Sequence, residues 1–200
     1  MSVRAKTGGK SRKEMKRAER RRRQLVGRAA WGLAGVAALS LIGYGVWNSI
    51  RPKPGQSVLI QGRAHIQVGD PHEPYNTNPP TSGPHAAPVR TRFYDEAPPD
   101  ENLVHNLEHG YVILWYNCDS LEEAECQDFK AQIKDVMERT KPVAFTTDAK
   151  KLIAVPRPGL DALIALTSWG RIDKLTSFDE VEITQFIKDF RNKAPEPGAP

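Results

Sequence analysis

The stretch Ala29–Ile50, AAWGLAGVAALSLIGYGVWNSI, holds no charged residue, and it constrains the chain before anything else is read. At about 1.5 Å rise per residue, such a run crosses a hydrocarbon core of about 30 Å. Trp31 lies near one end and Tyr44 and Trp47 near the other, where aromatic belts sit, and Arg28 and Arg51 bracket the run. A cleaved signal peptide is the rival reading. Its apolar region normally runs about 7–15 residues and closes on small residues. The run here is longer and ends in Trp47-Asn48-Ser49-Ile50. The expectation is therefore an uncleaved single-pass transmembrane helix over residues 29–50.

Charge gives the direction of insertion. Residues 1–28 carry twelve Lys and Arg against Glu14 and Glu19, a net +10 in a chain whose total is +5, so the remainder carries −5. Positive flanks stay inside, which predicts a short basic cytoplasmic tail (1–28) and an exported carboxyl-terminal domain. The high pI belongs to that tail, so no nucleic-acid partner is expected for the folded part. The Arg20–Arg23 run is suited to an anionic inner leaflet, at about 1 kcal/mol per charge.

Past the span, residues 51–57 (RPKPGQS) read as a stiff linker, 58–192 as one domain, and 193–200 (KAPEPGAP) as a disordered Pro-rich tail. Val58–Ile60 and Ala64–Val68 are strand candidates. Residues 69–99 are dominated by turn formers, and long loops of this kind tend to be functional or disordered. Asp100 is placed as the cap of a short helix, Glu101–His109, ended by Gly110 in a left-handed conformation. Tyr111–Asn117 (YVILWYN) reads as a buried strand. Leu121–Thr140 is an amphipathic helix. Val143–Thr146, Leu152–Val155 and Ala162–Trp169 are further strands, and Asp179 caps a last helix bearing Val181, Ile183, Phe186, Ile187 and Phe190. The class is α/β or α+β, a small mixed sheet covered by two helices.

Cys118 and Cys126 follow the buried strand. On an oxidising exported side a disulfide is favoured, which would tie the strand end to the long helix. Two free thiols or a metal-binding pair are the alternatives.

All five histidines, His65, His72, His85, His105 and His109, lie before Gly110 and after the linker. Imidazole is the commonest protein metal ligand near neutral pH. On a helix, His105, Glu108 and His109 stand at i, i+3 and i+4 and share a face. Two such imidazoles chelate one divalent ion, with the carboxylate as a third ligand, as the group orienting a ligand, or as a base. The order His-x-x-Glu-His is also that of inverted zinc peptidases, but those need a longer helix, and here Gly110 and a strand follow at once. The bland alternative is a capping His109 and a core His105. In Tyr75–His85, YNTNPPTSGPH, three prolines and a glycine stiffen a loop that ends on His85.

YNTNPPTSGPH, FYDE and ENLVHNLEHGYVILWY together resemble a bacterial membrane-anchored family catalogued as domain of unknown function 3105, over roughly residues 61–116. The segment Gln61–His65 also fits. The resemblance implies His65, His85, His105, Glu108 and His109 as family positions and ranks His72 below them. Family members often carry Trp and Gly before the Tyr-Asp pair, and Pro88–Phe93 departs from that pattern. The resemblance places the chain in a bacterial cytoplasmic membrane and implies no activity.

Three functions follow as expectations. The first is an extracytoplasmic domain binding Zn or Cu through His65, His85, His105 and His109, with Glu108, Tyr75 and Ser82 supporting the ligands or shaping the loop. The second is an interaction module for a cell-envelope protein, with structural histidines. The third is a metal-dependent hydrolase with Glu108 as general base.

Overall fold

The structure is a computed structural model that describes residues 12–144 and 150–198. It divides into two compact units, Met1–Pro52 and Lys53–Pro200. In the first, α1 (Arg12–Ile50) is one continuous helix that begins inside the basic segment and runs through the uncharged stretch. Its apolar side chains, among them Trp31, Leu33 and Leu41, are exposed. It is long and apolar enough to cross a membrane, as a signal sequence also is.

The second unit is built on a five-stranded mixed sheet. Its strands are β1 (Gln56–Ser57), β2 (Val112–Tyr116), β3 (Leu152–Pro156), β4 (Ile164–Ser168) and β5 (Arg171–Leu175), in the order β1-β5-β4-β2-β3. Only β2 and β3 run parallel, joined by the crossover helix α3 (Glu123–Arg139). The remaining pairs are antiparallel. Every residue of β2 is buried, as its unbroken apolar run requires of a strand covered on both faces. On one face Val112, Leu114 and Tyr116 pack with Phe129, Ile133 and Val136 of α3 and Ile183, Phe186 and Ile187 of α4 (Glu180–Phe190). On the other, Ile113 and Trp115 pack with Leu103 and Leu107 of α2 (Asp100–Glu108). The sheet is thus covered by two helices on one side and by a third, short one on the other. Trp115 is buried there, and its Nε1 donates to Thr167 Oγ1 at 2.8 Å, which spares the indole an unpaired donor.

Local chemistry sets the ends of the elements. Asp179 caps α4 through its side chain, accepting from Glu182 N at 3.0 Å. Gly110 takes φ +85° after α2, and a Cβ there would stand 2.8 Å from Asn192 Cα, so both dihedral and space demand glycine. A disulfide joins Cys118, just past β2, to Cys126 in the first turns of α3.

Several expected elements differ. Val58–Ile60 is no strand: Val58 N donates to Gly170 O at 2.9 Å and the chain then leaves the sheet, so the pairing falls on Gln56–Ser57 instead. Ala64–Val68 pairs only through an isolated bridge between His65 and His85. Asp100 is the first residue of α2 and not its cap, because its carboxylate is taken by Arg157 at 2.9 and 3.0 Å. Of the strand expected over Val143–Thr146, Val143 and Ala144 are not extended into a strand, and the rest lies outside the described residues. β5 was not foreseen. The Pro-rich segment from Lys193 is laid on the domain through Gly198: Glu196 N donates to Glu108 O at 3.1 Å, and Lys151 Nζ to Pro197 O at 2.8 Å.

Candidate metal centre

Helix α2 supplies half of the centre. It carries the buried Asn106, whose amide bonds both backbone groups of Val89, Asn106 Nδ2 to Val89 O at 2.8 Å and Val89 N to Asn106 Oδ1 at 3.0 Å. Asn102 Nδ2 donates to Ala87 O at 2.6 Å, and Ala86 N to Glu101 O at 3.0 Å. The loop Ala86–Val89 is therefore zipped to the helix. That places Ala86 O where His105 Nδ1 meets it at 2.6 Å.

The Pro-rich loop supplies the other half. Tyr75 OH donates to Pro84 O at 2.7 Å, and Ser82 Oγ accepts from Gln61 N at 3.1 Å. Gly83 has φ +132°, and a Cβ on it would stand 2.8 Å from the Tyr75 ring. Tyr75, its phenol held above the ordinary range by burial and then by Glu101 and Asp100, stays a neutral donor. His85 is fully buried. Its backbone brackets His65: His85 N donates to Ala64 O and Ile66 N to His85 O, both at 2.9 Å. Its Nδ1 lies 2.8 Å from Gly83 O.

Two imidazoles are thus oriented alike. A carbonyl accepts only from a protonated Nδ1, so in neutral His85 and His105 the Nε2 atom carries the lone pair. His85 Nε2 turns inward to Glu108, His105 Nε2 meets His109 Nε2 at 3.0 Å, and His65 completes the group: the ligand atoms of His65, His85, His105 and Glu108 all lie within 4.8 Å of one another. The ring centroids of His65, His85 and His105 are 4.6 to 5.1 Å apart, edge to face. Glu108 is 1% exposed. Its Oε2 stands 3.0 Å from His85 Nε2, yet off the line along which a ring N–H would donate, and both atoms are left without a hydrogen bond. Buried orphan atoms of this kind call for an explanation. Burial holds the His105 imidazole below its usual range, opposed by the Ala86 carbonyl and reinforced by His109, His85 and His65. A neutral imidazole is the form that ligates.

The sequence-derived set is regrouped. Glu108, expected to support the ligands, stands within the four-residue group with His65, His85 and His105, and His109 stands at its edge. His109 Nε2 is 3.0 Å from His105 Nε2 and belongs to a second group with Glu108 and Glu196. His72 lies apart, with Nδ1 at 2.8 Å from Glu73 O and Nε2 at 4.0 Å from Glu101. Three neighbours escaped the sequence reading. Arg63 approaches Glu108 Oε1 at 3.5 Å and Glu196 Oε1 at 3.6 Å. Buried Lys151 donates to His109 O at 2.7 Å. Glu196, the one acid of the Pro-rich segment, had that isolation as its only signal.

The arrangement has the chemistry of a site for a divalent transition metal. Two ligand atoms at about 2.0–2.2 Å on one tetrahedral ion stand roughly 3.3 Å apart, close to the spacing of His85 Nε2 and Glu108 Oε2. Imidazole and carboxylate together suit zinc, copper, iron or nickel.

No curated protein and no solved structure matches the chain. A family model described as "Protein of unknown function (DUF3105)" matches residues 67–200, which takes in the loop, α2 and every strand from β2 onward. Over two thirds of its length, then, including His85, His105, Glu108, His109 and Glu196, this chain belongs to the DUF3105 family.

Proposed function

We propose that the protein is a membrane-anchored binder of a divalent transition metal, held by His65, His85, His105 and Glu108 in a domain on the far side of the membrane. The observation that carries the reading is the pair His85 and His105. Each has Nδ1 committed to a backbone carbonyl, which leaves the Nε2 lone pair for a metal, and His85 Nε2 and Glu108 Oε2 stand 3.0 Å apart in the interior with no hydrogen bond. Carbonyl-oriented histidines of this kind are the usual support of a metal ligand. Zinc and copper are the favoured ions, copper on affinity alone.

The anchor reading rests on α1, whose apolar side chains need a lipid surround, and on the basic residues that precede the uncharged stretch. The disulfide is in keeping with an oxidising compartment. With Glu108 in the ligand group, its role as a general base loses support, so binding is preferred over hydrolysis.

The test is metal content by mass spectrometry on the full chain in detergent, purified without a histidine-rich tag. Near-stoichiometric zinc or copper, lost in His85→Ala and His105→Ala, is expected. A folded, metal-free protein that takes up no added zinc or copper would overturn the reading. It would leave the histidines structural and make the Pro-rich loop the first place to look for an envelope partner.

A further inference from the structure

We propose that the cluster contains a second divalent-cation position, formed by Glu108, His109 and Glu196 and joined to the first through the Glu108 carboxylate. The inference rests on the first position being a metal site.

The three side chains offer ligand atoms within 4.8 Å of one another. Glu108 faces two ways: Oε2 lies 3.0 Å from His85 Nε2, while Oε1 points to Arg63, whose Nη1 is 3.5 Å away. The same Nη1 is 3.6 Å from Glu196 Oε1. Two carboxylates thus already converge on one cationic point. Those separations exceed a hydrogen bond, and the Arg63 side chain is 51% exposed. The guanidinium is held loosely and can swing out. A metal ion binds carboxylate oxygen at about 2.0–2.2 Å, which lets both acids close on it. His109 supplies the imidazole: its Nε2 lies 3.9 Å from Glu196 Oε2 and 3.0 Å from His105 Nε2, a contact that it gives up when a metal takes its lone pair.

The way Glu196 reaches this point is the independent observation. Its segment is too rich in proline and too poor in apolar residues to fold by itself. It is pinned on both sides of the acid, and both pins lead to residues that supply ligands. Glu196 N donates to Glu108 O at 3.1 Å. On the far side, Lys151 Nζ bridges Pro197 O at 2.8 Å and His109 O at 2.7 Å. The main chains of Glu108 and His109 therefore hold the tail whose side chain meets their own side chains.

The donor sets separate the two positions. Three imidazoles and one carboxylate favour copper or zinc, whereas two carboxylates and one imidazole also accept manganese. The second position should be the weaker and the less selective, and its exposure at Glu196 lets it exchange.

The experiment counts bound ions in the full chain in detergent, first with zinc and then with manganese added to the zinc-loaded protein. Electron paramagnetic resonance of the manganese is the readout. Two ions per chain are expected, with the second step at least tenfold weaker in Glu196→Gln and in His109→Gln and the first unchanged in Glu196→Gln. Arg63→Gln should tighten the second step. Glu196 is an exposed tail residue, so its variant folds. One ion per chain, held equally by the wild type and Glu196→Gln, would overturn the second position and leave the first standing. No ion at all would overturn both.

Discussion

His85 Nε2 and Glu108 Oε2 lie 3.0 Å apart in a buried setting, and no hydrogen bond closes between them. Without a cation between them, each loses its water and gains no partner. Glu108→Gln should separate the two roles of the pair. The amide keeps the shape and removes the charge buried beside His85, so in chelator the variant should be more stable than the wild type by about 1 kcal/mol. With zinc present the order should reverse, because the amide is a poor ligand. Thermal melts of both proteins with and without chelator check this, and one order under both conditions would refute it.

Removing the metal is the second expectation. A ligand that binds only the folded state stabilises it by about 2.7 kcal/mol at a hundred times its Kd. Dialysis against chelator should therefore lower Tm by several degrees, and zinc should restore it. In His105→Ala, chelator and zinc should make no difference to Tm. An equal zinc response in that variant and the wild type would place the binding elsewhere.

The loop makes a separate prediction through Gly83. At φ +132°, with Tyr75 Cε1 only 2.8 Å from where a Cβ would sit, Gly83→Ala must twist the backbone or push the ring aside. Backbone strain of this sort costs about 1–3 kcal/mol. Because Gly83 O also orients His85 Nδ1, metal affinity should fall along with stability. Tyr75→Phe, which loses only the bond to Pro84 O, should cost about 1 kcal/mol and leave affinity nearer the wild type. Metal titration of both variants distinguishes a loop that presents His85 from one that is merely stiff.

What was legible in the sequence follows the range of the interactions. His105 and Glu108 share a face because they stand three positions apart, a local rule that needs no knowledge of the fold. The same holds for the Asp179 cap, the glycine after α2 and the continuous apolar run of β2. β5 reads Arg-Ile-Asp-Lys-Leu and hid because only Ile172 is buried in it, so its apolar signal is too thin. Asp100 looked like a cap until Arg157, far along the chain, claimed its carboxylate. The meeting of His65 with His85 depends on a bridge between two loops, and that of Glu196 with His109 on a tail that composition marks as free. Neither pairing has a periodicity to reveal it.

The last prediction concerns acid and base far from the histidines. Asp173 in β5 is held above the usual carboxylate range chiefly by burial, against the pull of Glu182, the Lys174 backbone and Arg171. Glu182, near the start of α4, is raised as well, first by desolvation and then by Asp173 and Asp179. A carboxyl whose folded pKa lies above its unfolded value of about 3.9 contributes stability below that value and loses it as pH rises through the folded one. At neutral pH the wild type therefore keeps a charge where the fold disfavours it. Asp173→Asn, similar in shape and always neutral, should raise Tm at pH 7, and the gain should shrink as pH falls toward 4. Paired thermal melts at the two pH values read this directly. A gain of equal size at both would assign the effect to packing and not to ionisation.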